Sequence, residues 1–89
     1  MVIAERRVTI VNELGLHARP AAEFVKLASR FESEIHLDKD GDAVNGKSIM
    51  GVMTLAAEHR AKLTIRAEGP DAEAAVTALE ELVAAGFGT

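Results

Sequence analysis

The fold of this chain is decided at a loop-to-helix junction, where the sequence reads Gly15-Leu16-His17-Ala18-Arg19-Pro20-Ala21-Ala22-Glu23-Phe24-Val25. Pro20 favours the first turn of a helix, because the N–H that it lacks would have no partner there. Apolar residues then recur at helical spacing, at Ala21, Phe24, Val25, Ala28 and Phe31. The junction therefore predicts a helix over residues 17–31, with His17 at or just before its start.

Alternating segments predict four strands around this helix. Residues 5–11, 34–38 and 61–68 alternate apolar with polar positions, and a shorter strand is expected around Ala43 and Val44. A run of aspartate and glycine over residues 38–42 predicts a tight turn between the second and third strands. Such alternation favours an antiparallel sheet that packs one face on helices and leaves the other face in water.

Two further helices follow from capping signals. Ser48 suits the N-cap of a short helix that ends at Thr54 or Leu55. Pro70 is expected at the first position of a third helix, which runs to about Ala85, with Gly86 as its C-cap. The order strand, helix, strand, strand, helix, strand, helix predicts a two-layer α+β fold. We expect a single domain over residues 1–89.

Composition narrows the class of function. The chain has 89 residues, a net charge of −4 and no cysteine, which excludes a disulfide framework and thiol chemistry. No segment resembles a signal peptide or a membrane span, so we expect a cytoplasmic protein without membrane insertion. The acidic balance and the lack of tyrosine and tryptophan argue against a nucleic-acid partner. The three histidines show no ligand spacing, which argues against a metal site.

The helix start at His17 has the features of an anion site. Free N–H groups and the positive end of the helix dipole meet there and favour phosphate. Arg19 offers a planar set of donors that grips two phosphate oxygens. Gly15 permits an unusual backbone angle and Ala18 leaves space beside the imidazole, so both are assigned to a candidate phosphate cradle. His17 is thus a candidate phosphoryl acceptor; the alternative is a merely solvated or capping histidine.

A second motif surrounds the short helix and reads Asn45-Gly46-Lys47-Ser48-Ile49-Met50-Gly51-Val52-Met53. The apolar residues of so short a helix cannot all face inward, so at least one or two are expected on the surface, Met50 or Met53 foremost. Exposed methionines form an adaptable docking surface. A phosphate on Ser48 would add about two negative charges there and act as a switch. The alternative is an ordinary capped helix whose methionines fill the core.

Together, the two motifs, the length and the element order resemble the histidine-containing phosphocarrier proteins, HPr, of the bacterial phosphoenolpyruvate-dependent phosphotransferase system. The resemblance implies an open-faced β-sandwich, with four antiparallel strands under three helices. It implies that enzyme I phosphorylates Nδ1 of His17, that Arg19 stabilises the phosphate, and that enzyme IIA domains receive the group. It also implies a stoichiometric carrier in sugar uptake that is not an enzyme, needs no cofactor and acts as a monomer.

The resemblance also implies a regulatory role for Ser48 and a docking surface. Ser48 would be the target of an ATP-dependent HPr kinase/phosphorylase, and the phosphorylated form would assist a catabolite-control transcription factor. The residues assigned to the docking of partners are Leu16, Ile49, Met50 and Met53, with Lys26, Arg30 and Lys47 as a positive rim.

Other features leave the branch of the system open. Asn12-Glu13-Leu14 and the Gly86-Phe87 ending resemble the nitrogen-branch paralogue, NPr, and carriers of incomplete systems without sugar permeases. The Ser48 segment resembles sugar-system carriers instead. A regulatory module that acts mainly through Ser48 is a further alternative, against which the presence of His17 and Arg19 argues.

Overall fold

In a computed structural model, which describes residues 2–88, the chain forms a four-stranded sheet and three α-helices. The strands are β1 (Ile3–Thr9), β2 (Glu34–Lys39), β3 (Asp42–Asn45) and β4 (Lys62–Glu68). The helices are α1 (Ala18–Ala28), α2 (Ile49–Thr54) and α3 (Ala72–Ala84), and a 3-10 turn follows at Gly86–Gly88. The predicted α+β class and element order are confirmed, whereas the final turn was not predicted.

The sheet has the strand order β1-β4-β2-β3, and each neighbouring pair is antiparallel. The register sets Val8 of β1 opposite Leu63, and Leu37 of β2 opposite Ile65. All four side chains are buried, so one face of the sheet forms the floor of the core. The helices cover that face, which confirms the open-faced sandwich. No helix within residues 2–88 has the length and apolar character needed to cross a membrane.

The ends of the first helix and the first strand differ from the prediction. The first helix ends at Ala28 rather than 31, because the following N–H groups of Arg30 and Phe31 form tighter turns with the carbonyls of Leu27 and Ala28. The first strand ends at Thr9 rather than 11. Ile10 bonds instead to the loop before β4, donating to the Ala61 carbonyl and accepting from the Arg60 N–H.

The start of α3 corrects the role predicted for Pro70. The helix begins at Ala72, and Asp71 occupies the N-cap position, so Pro70 precedes the helix. The Asp71 carboxylate does not cap α3. It contacts a distant segment of the chain instead. There it accepts hydrogen bonds from the N–H groups of Glu32 and Ser33, both at 2.9 Å, and from the Ser33 hydroxyl. The carboxylate therefore joins α3 to the segment before β2.

The end of α3 also differs by one position. Ala85, not Gly86, is the C-cap, and Gly86 follows with a φ of +66°. This left-handed angle is the conformation in which a glycine after the C-cap commonly ends a helix. The glycine preference was thus recognised correctly, but its position in the cap was wrong.

The Asp71 contacts predict an acid-sensitive contribution to stability. The hydrogen bond from the Ser33 hydroxyl has the largest effect on the Asp71 carboxyl, followed by that from the Glu32 N–H. Both hold the pKa of Asp71 below its ordinary value of 3.8. Because the pKa is lower in the folded state, this contribution is complete above the unfolded pKa and is lost as pH falls through the folded pKa. We expect Asp71→Asn to lower the free energy of unfolding at neutral pH more than in acid.

Urea unfolding at both pH values checks this expectation. Asp42→Asn is the matched control, because Asp42 is exposed and is the first residue of β3, paired with Lys39 of β2. It should change the free energy of unfolding little at either pH. An equal loss for Asp71→Asn at neutral and acidic pH would show that the carboxylate charge is not the stabilising element.

Candidate functional site

His17 occupies the N-cap position of α1, as the junction predicted. Its backbone is extended, with φ −89° and ψ −170°, and its carbonyl accepts the first helical hydrogen bond from the Ala21 N–H at 3.0 Å. The side chain forms no capping hydrogen bond, and the residue is exposed. The imidazole therefore does not serve as a cap and is accessible to a reaction partner.

The first turn of α1 leaves donors free beside this imidazole. Pro20 is the third helical residue and has no N–H, and the N–H groups of Ala18 and Arg19 precede the first helical bond. Neither group donates to another residue in the described range 2–88. The first turn also carries no acidic residue. This end of the helix consequently presents two donors and the positive end of a dipole to an anion.

Arg19 lies on the same side of the molecule as His17. Both residues line an open cleft of about 610 Å³ that Asn12, Glu13 and the end of α3 also border. Arg19 is exposed, and the ion pairs formed within residues 2–88 involve other arginines, Arg6 and Arg66. The structure thus places His17 and the Arg19 guanidinium along one cleft, and the guanidinium forms no ion pair within residues 2–88.

Gly15 shapes the loop before His17, and its N–H forms a hydrogen bond within that loop. Its φ is +72°, and an added Cβ would lie 2.5 Å from the Ala57 carbonyl oxygen. The Gly15 N–H already donates to the Asn12 carbonyl at 3.0 Å, and the Leu16 N–H donates to the Ala57 carbonyl at 2.8 Å. Gly15 thus has the unusual backbone angle that the sequence predicted, and this angle permits close contact between two loops. Its assignment to the phosphate cradle stays a prediction.

The partner in that contact is the 56–60 loop, which the sequence interpretation missed. Ala56, Ala57, Glu58 and His59 line a second open cleft of about 470 Å³, and His17 forms part of its wall. Ala56 and Arg60 have φ values of +49° and +72°, an angle that costs a residue with a side chain about 1–2 kcal/mol. No local signal marks this loop, because its place beside His17 depends on contacts between distant parts of the chain.

Helix α2 presents most of its apolar residues to solvent. Ile49, Met50 and Met53 are 44%, 74% and 39% exposed, whereas Val52 is buried. The prediction that the helix leaves a methionine on the surface is confirmed. The alternative, in which the methionines fill the core, is wrong. Helix α2 packs on α1, and its C-terminal end leads into the 56–60 loop, which lines a cleft with His17.

Leu16 is the part of the predicted docking surface that the structure corrects. Its side chain is only 5% exposed, because it is packed into the hydrophobic core beneath the loop. Leu14, two residues earlier, is 82% exposed and lines both clefts beside His17. Leu16 still borders the cleft toward the 56–60 loop, but most of the exposed apolar area next to the imidazole comes from Leu14.

Ser48 has the capping role expected from the sequence. It is the N-cap of α2, and its hydroxyl oxygen accepts a hydrogen bond from the Gly51 N–H at 3.0 Å. The neighbouring Lys47 is half-buried and donates through Nζ to the Phe31 carbonyl at 2.7 Å. Lys47 is thus engaged within the fold, unlike Lys26 and Arg30, which are exposed.

The remaining histidines are both exposed, as predicted. His36 lies on the open face of the sheet opposite Asn45, and His59 belongs to the 56–60 loop. Within residues 2–88, no three histidine, cysteine or acidic side chains are grouped closely enough to hold a metal ion.

Known proteins share this sequence and fold over nearly the whole chain. A family model described as the PTS HPr component phosphorylation site matches residues 4–85. The phosphocarrier protein HPr of Cupriavidus necator is 45% identical over 84 residues, which cover 94% of each chain. The structure of HPr-C-His from Thermoanaerobacter tengcongensis has a TM-score of 0.92 at 46% identity, over 97% of both chains.

A third relative is the Bacillus subtilis catabolite repression protein Crh, whose crystal structure is described as a swapped dimer. It matches with a TM-score of 0.76 and 43% identity, over 91% of this chain and 93% of that one. The family model matches this chain from Ala4 to Ala85. That range contains the exposed His17 at a helix start, the serine that caps α2 and the four strands of the sheet apart from Ile3. This chain belongs to the HPr family of phosphocarrier proteins of the phosphotransferase system.

Proposed function

We propose that this chain accepts a phosphoryl group from phospho-enzyme I on Nδ1 of His17 and donates it to enzyme IIA domains. The observation that supports this most directly is the exposed imidazole at the N-terminus of α1, beside the free N–H groups of Ala18 and Arg19. Histidine suits the step, because its neutral form is a nucleophile near physiological pH.

In the accepting step, the lone pair of the imidazole nitrogen attacks phosphorus. The bond between phosphorus and the atom of enzyme I that carries it breaks, and its electron pair stays with enzyme I. The helix N-terminus and the Arg19 guanidinium then favour the dianionic phosphoryl group. In the donating step the N–P bond breaks, the phosphoryl group passes to enzyme IIA and the electron pair returns to His17. The hold on the group must remain modest, because a strongly stabilised phosphohistidine would not be passed on.

The same surface serves both partners in this proposal. Leu14 provides exposed apolar area in the clefts beside His17, and Ile49, Met50 and Met53 provide more on α2. The thioether chains of methionine adapt to differently shaped surfaces, which suits a carrier that meets several proteins in turn. Lys26 and Arg30 of the exposed rim favour partners with acidic surfaces.

Transfer of labelled phosphate from phosphoenolpyruvate through enzyme I tests the proposal. An acid-labile, base-stable label is expected, as for a phosphohistidine. Absence of label from the folded chain, in a reaction where a control carrier becomes labelled, would instead favour a regulatory module that acts through Ser48.

Ser48 is proposed as a regulatory site for an HPr kinase/phosphorylase, with a catabolite-control transcription factor as a partner of the modified form. A phosphate there would add negative charge at the start of α2, the end of a helix that tolerates it, where the Gly51 N–H already donates. It would also place about two charges beside the exposed Ile49 and Met50. The modification is thus expected to change docking rather than the fold.

Ser48→Asp is expected to slow acceptance from enzyme I roughly tenfold, because it adds a charge to an apolar docking surface. Ser48→Asn is the matched control, since aspartate and asparagine are both good N-caps and only the first is charged. The initial rate of phosphorylation by enzyme I measures the effect. Equal rates for the two variants and the unmodified chain would assign Ser48 a capping role alone.

Sugar uptake and its regulation is the branch that we propose, and a nitrogen-branch or purely regulatory carrier is the alternative. The likeness to the catabolite repression protein Crh favours a regulatory component. The two features that resemble the nitrogen branch meet in space, because Asn12 Nδ2 donates to the Gly86 carbonyl at 3.0 Å. That bond gives both residues a structural role in positioning the His17 loop, whichever branch applies.

The proposed carrier is a cytoplasmic monomer formed by a single domain of residues 1–89. The edge strand β1 is tied to α3 through Arg6, whose guanidinium contacts Glu73 at 3.0 Å and Glu80 at 3.6 Å. A strand exchanged between two copies would form the same contacts with the partner copy, so these ion pairs are compatible with either state. The swapped dimer described for Crh is the alternative state.

A further inference from the structure

The two clefts beside His17 differ in charge. The cleft toward α3 contains Arg19, whereas the cleft toward the 56–60 loop contains Glu58 and His59 but no arginine or lysine. Glu13 borders both clefts. The attraction that one side of the imidazole offers to an anion is therefore opposed by a carboxylate on the other side.

Glu58 is held beside the His17 loop by its backbone. The preceding carbonyl, of Ala57, accepts from the Leu16 N–H at 2.8 Å, and the Glu58 carbonyl accepts from the Ala61 N–H at 2.9 Å. The Glu58 Cα lies 3.0 Å from the position that a Cβ at Gly15 would take. The side chain is exposed and forms no ion pair within residues 2–88, so its charge is not compensated locally.

We propose that Glu58 weakens the hold of the site on the phosphoryl group of His17 and so favours its transfer to the next acceptor. This inference rests on the proposed phosphocarrier function. The carboxylate repels a phosphoryl dianion in the shared cleft, whereas an unphosphorylated imidazole carries no such negative charge. The repulsion thus destabilises the phosphorylated state selectively. Glu13 acts in the same direction, and Arg19, in the cleft toward α3, acts against it.

The lifetime of the phosphohistidine tests this role without any partner protein. Phosphoramidate, a small chemical donor, phosphorylates the chain, and the decay of the N–P bond is followed by mass spectrometry. We expect Glu58→Gln to lengthen the half-life about threefold at low ionic strength and by less in added salt, because salt screens exposed charges. Glu58→Asp should restore most of the original half-life. With enzyme I and a fixed ratio of phosphoenolpyruvate to pyruvate, Glu58→Gln should raise the phosphorylated-to-unphosphorylated ratio by a similar factor.

Glu34→Gln is the matched control, with the same change in charge. Glu34 is exposed on the open face of the sheet and pairs with Glu68, at the end of β4 far from the 56–60 loop. Its half-life should equal that of the unmodified chain. An equal lengthening in Glu34→Gln would indicate an effect of net charge and overturn the proposal, as would an unchanged or shorter half-life in Glu58→Gln. Failure of the carrier function itself would appear differently, as a chain that phosphoramidate labels but enzyme I does not.

Discussion

Replacement of His17 by alanine is expected to abolish phosphoryl acceptance from enzyme I and to leave the fold nearly as stable as before. The side chain is exposed and forms no capping hydrogen bond, so its removal should change the free energy of unfolding by less than about 0.5 kcal/mol. The backbone carbonyl of residue 17, which accepts from the Ala21 N–H, is kept in the variant. The loss of function would therefore reflect the loss of the nucleophile alone.

Label transferred from phosphoenolpyruvate, together with urea unfolding of the same sample, measures both parts of this expectation. His36→Ala is the matched control, because His36 is also exposed but lies on the open face of the sheet. It should accept phosphate at the normal rate. Acid-labile label retained in His17→Ala would assign the acceptor to another residue, and His59, in the adjacent cleft, would be tested next.

Gly15→Ala is expected to destabilise the fold by about 2–3 kcal/mol and to reduce phosphoryl acceptance as well. A left-handed φ costs a residue with a Cβ about 1–2 kcal/mol, and Gly15 has a φ of +72°. The new methyl group would also lie 2.5 Å from the Ala57 carbonyl oxygen, so the loops must separate. Separation breaks the hydrogen bond from the Leu16 N–H to Ala57, worth about 1 kcal/mol, and displaces the adjacent His17.

Gly41→Ala isolates the conformational part of this cost. Gly41 has a φ of +90°, but nothing lies within 4 Å of an added Cβ, so only the backbone strain of about 1–2 kcal/mol is expected. Urea unfolding of both variants and their initial rates with enzyme I provide the comparison. If Gly15→Ala were no more costly than Gly41→Ala, the close contact between the His17 loop and the 56–60 loop would be contradicted.

The amino-acid sequence by itself determined the elements, their order and the central features of the site. The helix start at His17, the Ser48 cap and the inward positions of the strands were predicted because each depends on residues within a few positions of one another. Proline and glycine preferences, capping and hydrophobic periodicity all act over that range. The exposed methionines of α2 followed for the same reason, since a helix of six residues has too little buried face for them.

Only the tertiary structure decided which distant residues surround His17. It buried Leu16, left Leu14 exposed and placed Glu58 in a cleft with the imidazole. It also turned the Asp71 carboxylate away from its own helix and toward Ser33. These outcomes depend on contacts between segments far apart in the chain, where packing and hydrogen bonding outweigh local preference. The left-handed angle at Arg60 shows this most clearly, because the Cβ of any residue other than glycine disfavours that angle and the surrounding fold imposes it.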